Sequence, residues 1–382
     1  MKITMQSSLL ADMVSVCSMA ISSKPMKPVY ECVYLEANSE KSIPLVTVVG
    51  KDSGTAIRKV TDKAEVMEDG QALIPAKTLL SFLKLMDGEV TLTVEGVSAT
   101  LKSKGKKVNI TCLPGAEYEP GFTEIPSPEL VTMNGADWGT LTNSVSHCIS
   151  VDQGRLILTG VSLKFNGETG IVEACGVDGY KVAICRKSAE TNSAFAVVVP
   201  GVSAKLVEKV IKDAENVDYR FGNGVMIAEA YDTAIEVAML NGSFVEYEKM
   251  LVKNGSLRAK VNTSELLTAV KLAQVSASEG QKNLIVLSFT SEDTMQVTAR
   301  ADKSASTADI SCIVDGELLN PDKTSAGREI AFNANYISDC LKAASGFGDE
   351  VTLLCKSPVS PMAIVPVDRG DFYQLVLPVR RG

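Results

Sequence analysis

Apolar residues recur along this chain at two periods, and the order of the two periods comes round three times. A helical period places Leu9, Leu10, Met13, Val16, Cys17 and Ala20 on one face behind Ser7 and Ser8. Trp138, Leu141, Val145 and Cys148 follow the same spacing behind Asn134 and Asp137. Leu266, Leu267, Val270 and Ala273 follow it behind Asn262, Thr263 and Ser264, residues whose side-chain oxygens suit a helix N-cap. Each helix is preceded by a strand-like start: MKITM, LVTM or LRAKV. A second helix is expected in each round, within 74–86, 199–211 and 332–344, with Pro75 and Pro200 suited to a first turn. Period-two runs follow each second helix (EVTLTVEGVSATLKS, VDYRFGNGVMIAEA, EVTLLCKSPVSPMAIV) and read as antiparallel hairpins.

Pro200 stands 125 residues after Pro75, and Leu266 lies about two such intervals beyond Leu9. The spacing predicts three α+β domains, 1–124, 125–252 and 253–382, each with two helices packed on antiparallel sheets. A unit of that length can fold around its own core. Each round also closes on a related apolar run: VNITCLPGAEY, IEVAMLNGSFVEY and QLVLPVRR. The last of these raises its own question, because Leu375, Val376, Leu377 and Val379 must be buried or must bind something.

Composition adds limits. Hydrophobic residues make up 45% and charged residues 22%, enough for full cores, and the net charge of −8 argues against a surface that coats nucleic acid throughout. MKITMQSSLL has no apolar leader core and no run reaches the length of a membrane span, so a cytoplasmic protein without membrane contact is expected. None of the nine cysteines forms a C-x-x-C pair, and Cys17, Cys148, Cys340 and Cys355 sit in apolar runs. They read as reduced, buried hydrophobes, with no metal site.

A catalytic set is not apparent. His147, the sole histidine, neighbours Cys148, but adjacent residues on a helix point apart, which argues against a Cys-His dyad. Gly222-Asn223-Gly224 lies between strands and reads as a hairpin turn, and no phosphate-binding G-x-x-x-x-G-K-[ST] loop occurs. Asp152, Asp178 and Glu246 fall in turns without evident partners. No cofactor is expected. A binding or scaffolding protein is favoured, and a carboxylate enzyme stays open as the alternative. The six helix windows hold seven lysines (77, 84, 205, 209, 212, 271, 342) against four carboxylates (12, 208, 265, 339), inverting the sign of the whole chain. Mildly cationic helices suit loose, sequence-independent contact with a phosphate backbone.

The runs SSKPMKPVY (22–30), IPAKTL (74–79), LILTGV (156–161), VDGYKVA (177–183), FNANYI (332–337) and LVLPVR (375–380) resemble the bacterial sliding clamp, the beta subunit of DNA polymerase III. The resemblance covers the whole chain. It implies a head-to-tail homodimer, a six-domain ring whose helices face threaded duplex DNA. It implies DNA-contacting roles for Lys24, Lys77 and Arg155. It pairs the strand around Val108 and Ile110 of one copy with the helix around Val275 of the other, covering an edge that would otherwise aggregate.

The resemblance also implies a pocket for short peptides of the polymerase III catalytic subunit, the clamp loader and repair proteins. Matching positions are Leu158, Val177, Gly179, Tyr180, Lys181, Val182, Val245, Lys249, Met250, Asn333, Tyr336, Val359 and Pro361. The final run adds Leu375, Val376, Leu377, Pro378, Val379 and Arg380. The chain departs from the family pattern at Val177, commonly threonine, and at Lys181, commonly arginine.

Overall fold

The computed structural model describes residues 1–22, 27–40, 43–114, 118–320 and 323–380. Both anticipated helices form in each of the three rounds. They are α1 (Ser7–Ser18), α2 (Ala76–Leu83), α3 (Gly135–Ser146), α4 (Gly201–Ile211), α5 (Thr263–Ser278) and α6 (Ala334–Ala344). The Asn262 side chain caps α5 as its position suggests, accepting from the backbone N–H groups of Ser264 (3.0 Å) and Glu265 (3.1 Å). Pro75 and Pro200 stand one residue earlier than expected: each ends a strand immediately before its helix, where a missing N–H is equally harmless.

Every strand pairing among the described residues is antiparallel. One sheet of five strands runs in the order Ala64–Glu68, Lys2–Gln6, Glu89–Glu95, Ser98–Ser103, Lys106–Thr111. A second, of nine, begins Leu113–Pro114, Gly70–Pro75, Cys32–Asn38, Leu45–Asp52, Thr55–Thr61. It continues through Thr233–Ala238, Val225–Ala230, Val217–Gly222 and Glu129–Met133. A third, of twelve, begins Phe195–Pro200, Gly160–Asn166, Ile171–Val177, Lys181–Ser188, Phe372–Val376, Met362–Pro366, Glu350–Cys355, Leu257–Asn262. It ends with Ala305–Gly316, Thr294–Arg300, Leu284–Phe289 and Glu329–Asn333.

Two compact units result. The first comprises Met1–Gly139, Ala189–Ser193 and Val202–Met239 and holds the sheets of five and nine strands. The second comprises Thr140–Ser188, Ala194–Gly201 and residues 240–382 and holds the sheet of twelve. The middle round is therefore shared between the units. Ladders run through both expected boundaries: Ile235 lies opposite Ile57 in one, and Val182 opposite Leu375 in the other. Joining sheets end to end removes edges that each round alone would expose.

Close packing explains several residue choices. A Cβ on Gly50 would fall 2.0 Å from the Cys17 carbonyl oxygen, so only glycine lets α1 lie this close to its sheet. In the first unit Trp138 stacks on Tyr219 at 5.1 Å and donates its indole N–H to the Ala204 carbonyl at 3.0 Å, satisfying the buried polar atom. Asn223 and Gly224 have φ of 50° and 76°, so Gly222-Asn223-Gly224 is indeed a tight hairpin turn. All nine cysteines are buried and free. No helix among the described residues is long and apolar enough to cross a membrane.

The turn carboxylates, read from sequence as unpartnered, do have partners. Asp152 pairs with Arg155, Asp178 with Lys181, and Glu246 with Lys249. Each cation sits three residues on, within one turn of its acid, which the sequence could have shown.

Candidate functional site

The second unit gathers most of the residues singled out at the end of the middle round and throughout the last. The strand Lys181–Ser188 pairs with the closing strand Phe372–Val376, placing Lys181 opposite Val376 and Val182 opposite Leu375. Leu158, Val177, Val182 and Leu375 then share one buried core with Cys175, Ile184, Tyr247 and Leu354, and Val245 packs at its margin. Val376 is fully buried in the same sheet. These residues are a floor rather than a contact surface. Alternation explains this, because positions 175, 177, 182, 184 and 375 point to the same side of the sheet.

Above the floor lies an exposed rim. Tyr180 is 54% exposed and stacks on Tyr336 of α6, with ring centroids 5.4 Å apart. Gly179, at φ +92°, makes the turn that lifts Tyr180 clear of the sheet. Met250, Val359 and Leu377 are large exposed hydrophobics in this unit. The Leu377 N–H donates to the Tyr180 carbonyl at 2.9 Å, and the Val379 N–H donates to the Ala331 carbonyl at 2.8 Å. The closing segment is thus tied down without being buried: Pro378 and Val379 are half-buried and Arg380 is exposed. Pro361, also half-buried, precedes Met362, which pairs with Val376. Lys249 is exposed and paired with Glu246.

Two expected contact residues are already committed elsewhere. Lys181 is only 4% exposed, and its ammonium donates to the His147 carbonyl at 2.7 Å and to Asp339 at 3.4 Å. Burial opposes its charge, but Cys148, Asp178, Cys340 and Asp339 outweigh that and hold its pKa above the ordinary lysine value. It is a structural tie between α6 and the strand, and this corrects its assignment as a peptide contact. Asn333 is the N-cap of α6, accepting from Asn335 N–H at 2.9 Å while its amide donates to the Lys282 carbonyl.

The candidate DNA contacts divide. Lys24 lies outside the described residues. Lys77 is exposed on α2 beside a cavity of about 390 Å³ lined also by Ser18, Ile21, Glu31 and Thr78. Arg155 is exposed, pairs with Asp152 at 3.3 Å, and lies 3.4 Å from where a Cβ on Gly179 would sit. Arg155 therefore borders the aromatic rim, a proximity that no spacing in the sequence reveals. All seven helix lysines are exposed.

At the candidate interface, Val275 is 67% exposed on α5, and Leu272 one turn before it is exposed too. Leu272 was missed in the sequence, although its spacing from Val275 places it on the same face. Lys106–Thr111 is an outer strand of its sheet. Val108 is half-buried, but Ile110 is only 4% exposed. Ile110 points into its own core, so its assignment as an exposed interface side chain is corrected.

Comparisons with known proteins follow this geometry. Models of the DNA polymerase III beta subunit match in chain order: the N-terminal domain at 1–122, the central domain at 133–246 and the C-terminal domain at 248–380. The beta sliding clamp of Staphylococcus epidermidis is 23% identical over 372 residues, covering 94% of both chains. A solved DNA polymerase sliding clamp from Bacillus subtilis shares the fold at a TM-score of 0.90 and 21% identity, over all of both chains. A Pseudomonas aeruginosa sliding clamp solved bound to griselimycin shares it at 0.88 and 19%, again over all of both chains. The three matched domains span nearly the whole chain, which belongs to the DNA polymerase III beta subunit family, the sliding clamps that serve replication as processivity factors rather than as enzymes.

Proposed function

We propose that two copies close head to tail around duplex DNA in the cytoplasm, with domains at 1–124, 125–252 and 253–382, and that the rim around Tyr180 receives short peptides of replication and repair proteins. The observation that carries this reading is the ladder between Lys181–Ser188 and Phe372–Val376, which holds Tyr180 and Leu377 side by side over one apolar floor. A floor fixed by main-chain hydrogen bonds with exposed aromatic and aliphatic groups above it suits a short apolar peptide segment. The P. aeruginosa relative, solved with griselimycin bound, supports a ligand site in this fold.

Lys77 and Arg155, with Lys24, are assigned to the phosphate backbone. All the helix lysines are exposed, as sequence-independent sliding requires. Val108 on its outer strand and Leu272 with Val275 on α5 are assigned to the contact between copies, where apolar side chains on an edge and a helix would cover one another.

Primer extension by a bacterial replicative polymerase, with its clamp loader and ATP, tests the reading. The full chain should lengthen the products. A chain ending at Val376 should stay dimeric and lose both the lengthening and the binding of a polymerase-derived peptide. A truncated chain that still supports long products would overturn the assigned site.

A further inference from the structure

The first unit carries a second concentration of positive charge, and no helix contributes to it. Four lysines fall within the six residues KSKGKK (102–107), in a chain whose net charge is −8. They belong to the hairpin of Ser98–Ser103 and Lys106–Thr111, and all four are exposed. Strand alternation sorts the side chains of this hairpin. Leu101 and Val108 lie opposite one another on the side that holds the buried Ile110, whereas Lys102 and Lys107 lie opposite one another on the other side. Two more strands extend that outer row: Lys102 lies opposite Thr91, and Thr91 opposite Thr4, with the two threonine hydroxyls 2.9 Å apart.

The lysines border a groove of about 870 Å³ that Thr4 and Thr91 also line. The lining holds no aromatic and no large apolar side chain, and its one carboxylate is Glu89. Lys106 is engaged with Asp87 at 3.7 Å and with the Leu85 carbonyl at 2.6 Å. Lys102, Lys104 and Lys107 have no carboxylate partner among the described residues. Two features of this arrangement cost stability. Like charges directly opposite on neighbouring strands repel. Lys104 and Gly105 make a two-residue turn with φ of 36° and 80°, whose first position favours Asn, Asp or Gly over lysine. The Lys104 ammonium lies only 3.3 Å from where a Cβ on Gly88 would sit, so it is held over the end of the groove. An anion seated there offsets the repulsion and gives the strained lysine a role.

We propose that this groove holds the phosphate backbone of duplex DNA, in a contact separate from that of the helix lysines. Ammonium and hydroxyl groups donate to phosphate oxygens and read no base, as binding without sequence preference requires. The lack of aromatic side chains removes the stacking platform on which single strands rely. The lack of apolar ones removes the buried anchor that a protein partner needs. Binding of this kind releases counterions, so it weakens steeply with salt, unlike holding by topology.

The test is filter binding of the full chain to covalently closed circular duplex DNA without clamp loader or ATP, because a closed ring cannot thread an unbroken circle. Changing Lys102, Lys104 and Lys107 together to Gln should weaken binding about tenfold at low salt and flatten the slope of log affinity against log salt by about two. That loss should exceed the loss in a double Lys77→Ala, Arg155→Ala variant. Thermal melting and sedimentation velocity verify the fold and oligomeric state of the triple variant. Acetylation footprinting needs no variant: the circle should protect Lys102, Lys104 and Lys107 of the unmutated chain, and this decides the matter if the triple variant is unstable. Equal acetylation with and without DNA would overturn the proposal. So would unchanged DNA affinity in the triple variant; if that variant also fell to monomers, the lysines would belong to a contact with an acidic face of a second copy.

Discussion

At the scale of single residues, the site depends on which side chains stand free. Tyr180 is the exposed aromatic of the rim, and its stack on Tyr336 holds it ready without burying it. Tyr180→Ala should weaken binding of a polymerase-derived peptide about tenfold, or roughly 1.4 kcal/mol, with the melting temperature unchanged. Fluorescence anisotropy on a labelled peptide measures this, and unaltered affinity would remove Tyr180 from the site. Acid stability belongs to this scale as well. A hydrogen bond from Lys164 holds the Glu248 carboxyl below its usual range, and one from Arg369 does the same for Asp371. A depressed carboxylate contributes stability above its unfolded pKa, near 4, and loses it as pH falls through the lower folded value. Melting temperatures should therefore drop between about pH 4.5 and 2.5, and the drop should be smaller in Lys164→Met. An identical acid profile in that variant would show the pair to be inert.

The elements divide into those whose pattern announces them and those whose environment does not. The six helices and three hairpins were legible because each combines one apolar period with turn or cap residues, as at Asn262 and at Gly222-Asn223-Gly224. The edge strand Lys106–Thr111 was harder. Its alternation is plain and puts Val108 and Ile110 on one side of the strand, but alternation alone does not say how deep each lies: Ile110 is buried and Val108 half-buried. The two should now separate under the same change. Ile110→Asp buries a charge and should cost about 3 kcal/mol or more, seen as a lower urea midpoint. Val108→Asp should leave the fold stable and shift the protein to monomers in sedimentation velocity. Two stable monomeric variants, or two unfolded ones, would contradict this division of the strand.

On the scale of the whole molecule, the threefold repeat was readable from spacing, but the joining of sheets across repeats was not. Nothing local in VAICR or FYQLV says that Val182 will lie opposite Leu375, although that ladder puts the last strand into the floor of the proposed peptide site. For the same reason Lys181 read as a contact residue. Its burial depends on Asp339 and the His147 carbonyl, which long-range folding brings to it. The closing run divides between burial and exposure: Leu375 and Val376 are buried, while Leu377 and Arg380 stay at the surface, where the proposed peptide site lies. The central claim is that the chain holds DNA by topology, and its most direct test is retention on circular against linear DNA. Clamp loaded onto a nicked circle by a clamp loader with ATP should remain bound through gel filtration, then be lost once the circle is cut to give free ends. Equal retention on the circle and on the cut DNA would contradict the account.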